Sequence, residues 1–350
     1  MSRFHGHTEG GATRLDQRTE ERTGGAGSSV TVSPFVSPLA PRMDPLKFRD
    51  PFITLDGSRR AGVALTGLDT LWFNTGTLCN IACLSCYIDS SPRNDALVYL
   101  SALEVAGYLA EIEATGLVTR EIGFTGGEPF MNAEIIPMLE AALASGRQTL
   151  VLTNAMRPMR RFERQLVELR GRYGDALTMR VSLDHYSQPI HEAERGADTW
   201  TPAIAGLVWL AQNGFSLAIA GRRLGDETEE AARAGYAELL AGLGITLDVN
   251  DPSRLILFPE MDATRDAPEI TEACWGILNV APESMMCATS RMVVKRKGAP
   301  RPVVVACTLT PYDPQFELGE TLAEAAGTVQ LNHPHCARFC VLGGASCSGR

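Results

Sequence analysis

The chain has 350 residues, 45% hydrophobic and 21% charged, with a formal net charge of −9 and a pI near 5.3. That size and composition suit a globular protein with a large core, and the acidic balance lacks the basic footprint of a nucleic-acid binder, so no nucleic-acid partner is expected. The uncharged stretch "TPAIAGLVWLAQNGFSLAIAG" (201–221) is interrupted by Pro202 and "QNG", short of the roughly 20 continuous apolar residues of a membrane span; it reads as a buried helix, a turn and a buried strand, with no membrane partner.

Residues 1–45 are poor in apolar side chains and rich in Gly, Ser, Thr, Arg and Glu, a composition expected to be disordered. No apolar signal-peptide core opens the sequence, which points to a cytoplasmic, reducing compartment. The "HGH" at 5–7 reads as inert tail, and Met43 is a second possible start. From residue 69 the pattern becomes regular. Strand-like "TLWFNTG" (70–76) is followed by helical "ALEVAGYLAEIEATG" (102–116), then by strand "EIGFTGG" (121–127) and helix "NAEIIPMLEAALASG" (132–146). Strand "QTLVLTN" (148–154) leads to helix "RRFERQLVELRGRYG" (160–174), whose basic start "RPMRRFERQ" (157–165) reads as a solvated face. Strand "LTMRVSLD" (177–184) leads to helix 200–214, strand "SLAIAG" (216–221) to helix 227–244, and "RLILFP" (254–259) closes the series. Such alternation predicts βαβ units around a parallel sheet, either an open doubly wound sheet or a partial barrel. In both, ligands gather at the carboxyl ends of the strands, where Asn74, Gly126–Pro129, Asn154, Ser182 and Asp184 fall. Beyond about residue 262 the alternation stops, and 291–310 reads as a hairpin around Gly298 and Pro300. Three regions follow: a tail (1–45), an α/β domain (46–262) and an irregular cysteine-rich domain (263–350).

Nine cysteines are unevenly placed, and in a reducing compartment clustered cysteines point to metal or catalysis more than to disulfides. Cys79, Cys83 and Cys86 crowd one loop, "LCNIACLSCY" (78–87). Three thiolates can hold three irons of a cubane and leave the fourth open. A structural zinc site usually wants four ligands, and His185 and His191 are distant in sequence.

Cys79-x3-Cys83-x2-Cys86, followed by "GFTGGEP" (123–129), resembles the radical S-adenosylmethionine (SAM) superfamily, over roughly residues 69–260. The resemblance implies a partial (β/α)6 TIM-like barrel and a [4Fe–4S] cluster whose open iron chelates SAM. It also implies reductive cleavage of SAM to a 5′-deoxyadenosyl radical that abstracts hydrogen from substrate. Carried over residue by residue, it implies cofactor contacts from Gly126, Gly127 and Glu128 ("GGE"), Asn154 ("LTNA"), Ser182 and Asp184 ("VSLDH"), and Arg195 ("HEAERGADTW"). Two positions depart from the family: Ser85 stands where an aromatic commonly precedes the third cysteine, and the fifth strand ends in "AGRR", where Arg222 either replaces the usual Asn contact or faces an anionic substrate.

The hairpin between Cys287 and Cys307, with "HCARFCVLGGASC" (335–347), resembles the SPASM and Twitch extensions of that superfamily. This implies a small C-terminal Fe–S domain with an auxiliary [4Fe–4S] cluster on ligands drawn from Cys287, Cys307, Cys336, Cys340 and Cys347. Eight residues separate Gly298 from Cys307, a longer gap than the standard SPASM spacing, which favours one Twitch-like cluster; Cys347 or Cys336 is the candidate spare, and Cys274 reads as a core residue. The expected substrate is a peptide or a small molecule, and the expected electron donor a flavodoxin or ferredoxin. No catalytic acid or base stands out; Glu260, Asp262 and Tyr87 are candidates by position. The competing reading is a non-catalytic, zinc-stabilised binding protein.

Overall fold

The computed structural model describes residues 41–259 and 265–344, which belong to one compact unit. Local signals account for the elements well. Helix α1 (Ala102–Thr115) starts at Ser101, whose hydroxyl accepts from Glu104 N while the Glu104 carboxylate reaches back to Ser101 N, and it stops at Gly116 in the left-handed region. That reciprocal box satisfies two of the amide donors a helix start leaves orphaned. Helix α7 (Glu229–Gly242) is capped by Thr228 and carries Glu229 and Glu230 in its first turn, where acidic charge complements the helix dipole.

A two-residue strand, β1 (Gly62–Val63), precedes the main series. Strands β2 (Thr70–Asn74), β3 (Glu121–Thr125), β4 (Gln148–Thr153), β5 (Leu177–Ser182), β6 (Ser216–Arg222) and β7 (Leu255–Phe258) then pair in parallel, each with the next. Helices α1, α2 (Ile135–Ala144), α4 (Glu163–Tyr173), α6 (Trp200–Gln212) and α7 connect them. This is the α/β partial-barrel order that the alternation predicts, and every parallel strand end falls at the same rim. The strands are nearly continuous buried runs, as a parallel sheet covered on both faces requires. Along β2 the pleat divides the side chains: Leu71 and Phe73 join the helix-packed core, with Phe73 stacked 5.6 Å from Phe124, while Trp72 packs on the inner face with Leu150, Met292 and Val305.

Three details differ from the sequence reading. The helix expected over 160–174 is preceded by a separate turn, α3 (Arg157–Arg160), and proper helix begins only at Glu163. An eight-residue helix, α5 (Gln188–Arg195), lies before α6; it is too short for periodicity to reveal. The segment after 262 is not merely irregular. Past a short helix, α8 (Cys274–Leu278), strand β8 (Ser290–Val294) pairs in parallel with β2, so the hairpin it forms with β9 (Val303–Val305), and β10 (Glu317–Gly319) beyond, extend the same nine-stranded sheet. Strand β11 (Val329–Gln330) returns to pair with β1. The boundary expected near 262 falls in 260–264, outside the described residues, as do residues 1–40 and 345–350 with His5, His7 and Cys347. No described helix is long and apolar enough to cross a membrane.

Helix α6 approaches the strand ends through Gly206, where an ideal Cβ would stand 1.8 Å from the carbonyl oxygen of Ala155. Gly206→Ala should therefore destabilise the fold by on the order of 1–3 kcal/mol, because backbone must shift to admit the methyl group. Gly107→Ala, on α1 with nothing within 4 Å of the added Cβ, should instead be neutral or stabilising by up to about 1 kcal/mol. Urea unfolding of the two variants beside the parent chain reads the contrast.

Candidate functional site

At the carboxyl rim of the sheet lies a cavity with an empty volume of about 1050 Å³. Cys79, Cys83 and Cys86 line it from the loop after β2, Gly126 and Gly127 from the end of β3, Asn154 from β4, Ser182 and Asp184 from β5, Arg222 from β6 and Phe258 from β7; Arg195 reaches it from α5. Of the residues the sequence picks out for this site, Asn74, Glu128 and Pro129 stay off the cavity wall, and Glu260 and Asp262 lie outside the described residues. His185 and His191, the distant candidates for a fourth metal ligand, do not line it either.

The cysteine loop is positioned by backbone pairing with the glycine turn. Gly127 N donates to Gly76 O (2.8 Å) and Glu128 N to Leu78 O (3.2 Å). A Cβ on Gly126 would stand 2.6 Å from Gly76 O, and one on Gly127 2.3 Å from Leu78 O. Gly126 also holds φ at +142°, in reach of glycine but not of other residues. The two glycines are thus required by the contact between the loops, whatever else occupies the cavity.

Glu128 points inward. Its carboxylate accepts from Thr153 Oγ1 (2.8 Å), Asn154 N (2.8 Å) and Phe130 N (3.1 Å), pinning the end of β4 to the glycine turn. Burial pushes its pKa up to about 7, against the lowering effect of those three donors. Glu128 braces Asn154, whose side chain donates to Asn80 Oδ1 (2.9 Å) and lies 3.9 Å from Cys79 Sγ.

Opposite, Asp184 is buried between two guanidiniums. Arg195 approaches it at 3.1 and 3.2 Å and Arg222 at 3.5 Å. Burial would raise the Asp184 pKa, but Arg195 and Arg222 hold it below the usual carboxylate range. Arg222 Nη2 also donates to Ser85 O (2.6 Å), and its guanidinium lies 4.5 Å from the centroid of the Tyr87 ring, a cation–π distance. The Ser85 hydroxyl bonds the Glu194 carboxylate, and Leu84 N donates to Glu194 O (2.8 Å). The Ser85 hydroxyl thus adds a side-chain tie to α5 beside the backbone ties that join the stretch between Cys83 and Cys86 to α5 and β6. Sequence reasoning missed Glu194, which no periodicity singles out. Burial pushes the Cys79 thiol up to about 12 and the Cys83 thiol to about 11. Metal binding here must displace protons.

A second cavity, of about 390 Å³, is lined by Cys287, Cys307, Cys336 and Cys340, with Met285, Leu309 and Phe316 among its apolar walls. Cys336 and Cys340 come from a π-helical turn, Cys336–Val341. Leu309 lines both cavities, and Tyr87, Phe258 and Phe339 pack beside it, with ring centroids 5.4–6.5 Å apart. Cys274 is half-buried with its sulfur on Thr271 N (3.4 Å); it lines neither cavity. Among the described residues no three His, Cys, Asp or Glu side chains converge on a point as ligands of one metal ion. A cubane places its ligands around a body of several atoms, so two cavities lined by three and four cysteines fit such clusters better than a single zinc.

Fold and site together define a partial α/β barrel with a thiol-lined cavity at its carboxyl rim. Residues 73–234 match the model of the radical SAM superfamily. The chain is 29% identical over 118 residues to the antilisterial bacteriocin subtilosin biosynthesis protein AlbA of Bacillus subtilis (strain 168), covering 34% of this chain and 25% of that protein. It is 26% identical over 175 residues to the mycofactocin maturase MftC of Mycolicibacterium smegmatis, covering 49% and 41%. It thus spans well under half the length of these curated relatives. Among solved structures, Streptococcus suis SuiB bound to S-adenosylmethionine superposes with a TM-score of 0.53 at 14% identity, covering 73% of this chain and 63% of that one. Native anSMEcpe with bound AdoMet gives 0.52 at 13% identity, covering 73% and 79%. These likenesses concern the fold.

The buried carboxylate yields a pH prediction. Glu128 binds its proton more tightly folded (about 7) than at its ordinary value of 4.5. The native state therefore holds more protons between those values, and stability falls as pH rises through that window. Glu128→Gln removes this slope while losing acceptors at Asn154 N. The stability advantage of the parent chain over the variant should shrink by on the order of a few kcal/mol between about pH 5 and pH 7; chemical unfolding at each pH measures it, and a constant difference would contradict the raised pKa.

Proposed function

We propose that this chain is a radical SAM enzyme of the maturase type. In this reading Cys79, Cys83 and Cys86 hold a [4Fe–4S] cluster whose open iron takes the methionine end of SAM. The observation that carries it is the convergence of those three thiols, the Gly126–Gly127 turn and the Asp184–Arg195–Arg222 group on one cavity. When bound, the cluster and SAM supply reductive cleavage of the sulfonium carbon–sulfur bond and a 5′-deoxyadenosyl radical that takes hydrogen from substrate. The chain's own part is to position and shield. Gly126 and Gly127 let backbone approach the ligand without a side chain between, Asn154 and Ser182 offer polar contacts, and Arg195 and Arg222 supply positive charge for a carboxylate. Tyr87, Phe258 and Leu309 provide apolar walls that keep water from a reactive intermediate.

We further assign Cys287, Cys307, Cys336 and Cys340 to an auxiliary [4Fe–4S] cluster of Twitch type, a set supported by four thiols around one apolar cavity; Cys347 lies outside the described residues. The substrate is proposed to be a peptide. Two relatives carry the names of a bacteriocin biosynthesis protein and a maturase, and SuiB has been solved bound to its precursor peptide SuiA. The reducing electron would come from a flavodoxin or ferredoxin.

Anaerobic reconstitution with iron and sulfide, then reduction with SAM present, should release 5′-deoxyadenosine and methionine. Cys83→Ala should release none while keeping the iron of the second site. A fully loaded, reduced protein that leaves SAM intact overturns the proposal, as does colourless, oxygen-free protein carrying zinc in both sites. For the auxiliary set, Cys340→Ser should lower bound iron by one cluster's worth and Cys347→Ser should not; iron analysis per chain separates the two.

A further inference from the structure

Arg291, on β8, is buried to 1% exposure. Its guanidinium donates only to carbonyl oxygens: Nε to Ala325 O (2.8 Å), Nη1 to Cys287 O (2.6 Å) and Ser290 O (2.8 Å), and Nη2 to Gly327 O (3.1 Å). Three other arginines with little side-chain exposure face carboxylates. Arg60 lies 2.6 Å from the Glu269 carboxylate, Arg195 3.1 Å and Arg222 3.5 Å from that of Asp184. Among the described residues no carboxylate pairs with Arg291. Neutral acceptors satisfy its donors but leave a full charge in a low-dielectric core, where it is costly.

The bond from Nη1 to Cys287 O holds the guanidinium at the residue that, with Cys307, walls the second cavity. Burial pulls the Arg291 pKa below its ordinary value, and Cys287 and Cys307 oppose that pull. A thiol carries no charge, so in that form the two sulfurs compensate nothing. Both wall the second cavity with Cys336 and Cys340. Filling that cavity with a cluster converts the four thiols to thiolates and brings net negative charge near a buried guanidinium that pairs with no carboxylate among the described residues.

We propose that Arg291 is the built-in counter-charge of the auxiliary thiolate site, offsetting the negative charge of the assembled cluster and holding its reduction potential up. The inference rests on the reading above that these four cysteines hold a cluster. The physical reason is that each added electron makes the site more negative, so a fixed cation nearby favours the reduced state and raises the potential. The carbonyl bonds then have a second role: they keep the guanidinium from turning away to water.

The test uses the full chain with Cys79, Cys83 and Cys86 all changed to Ala, so that iron can reside only in the second site. Iron and sulfide are counted, and the reduction potential is read by titration monitored by electron paramagnetic resonance. Arg291→Gln should retain the cluster and shift its potential to more negative values; Arg291→Lys, which keeps the charge but not the fork, should stay at the parent value. A cluster present in Arg291→Gln at the parent potential overturns the role of Arg291 and leaves the cluster assignment standing. No iron in the parent background overturns the cluster assignment, and this proposal with it. Should Arg291→Gln fail to fold, Arg291→Lys decides, because a potential displaced from the parent value is incompatible with charge compensation.

Discussion

The site depends on one close backbone contact, the seating of the Gly126–Gly127 turn on the start of the cysteine loop. Two amide-to-carbonyl bonds, to Gly76 O and Leu78 O, join the end of β3 to the chain leaving β2. There is no room for a Cβ at either glycine, so the loop bearing the three cysteines sits directly on sheet backbone. A catalytic loop is usually the mobile part of a rigid scaffold; here it inherits the sheet's rigidity, as a site that must place a ligand within a fraction of an ångström requires.

Buried charge completes the frame. Asp184 holds Arg195 and Arg222, Arg222 reaches Ser85 O, and Glu194 bonds the Ser85 hydroxyl. The cysteine loop is thus gripped on one side by neutral backbone and on the other by a network of ions. Such a network is costly to bury unless each member is satisfied, and breaking one pair would leave a charge stranded beside the thiols. Glu128 plays the matching part behind the glycine turn, spending its carboxylate on three internal donors and so fixing Asn154 from behind.

The second cavity shares a wall with the first. Leu309 faces both, and the packed rings of Tyr87, Phe258 and Phe339 fill the space beside it. Tyr87 directly follows Cys86 and Phe339 directly precedes Cys340, so the two cysteine segments meet through side chains adjacent to those cysteines. This is possible only because β8 pairs with β2, which makes the C-terminal segment part of the barrel sheet and not an appendage beside it.

By itself the sequence determined the alternation of strands and helices, the level at which the strand ends meet, and the identity of the cysteine loop and glycine turn. Each of these is written locally, in hydrophobic period, glycine placement and short spacing. Only the tertiary structure decided that Glu128 turns inward, that Asp184 takes up Arg195, that Ser85 and Glu194 anchor the loop, and that four C-terminal cysteines share one cavity. It also decided that β8 lies beside β2, a pairing between segments more than two hundred residues apart in the chain. Such contacts are set by which surfaces meet on burial, and a buried ion pair or an enclosing wall leaves no periodic mark on the segments that form it.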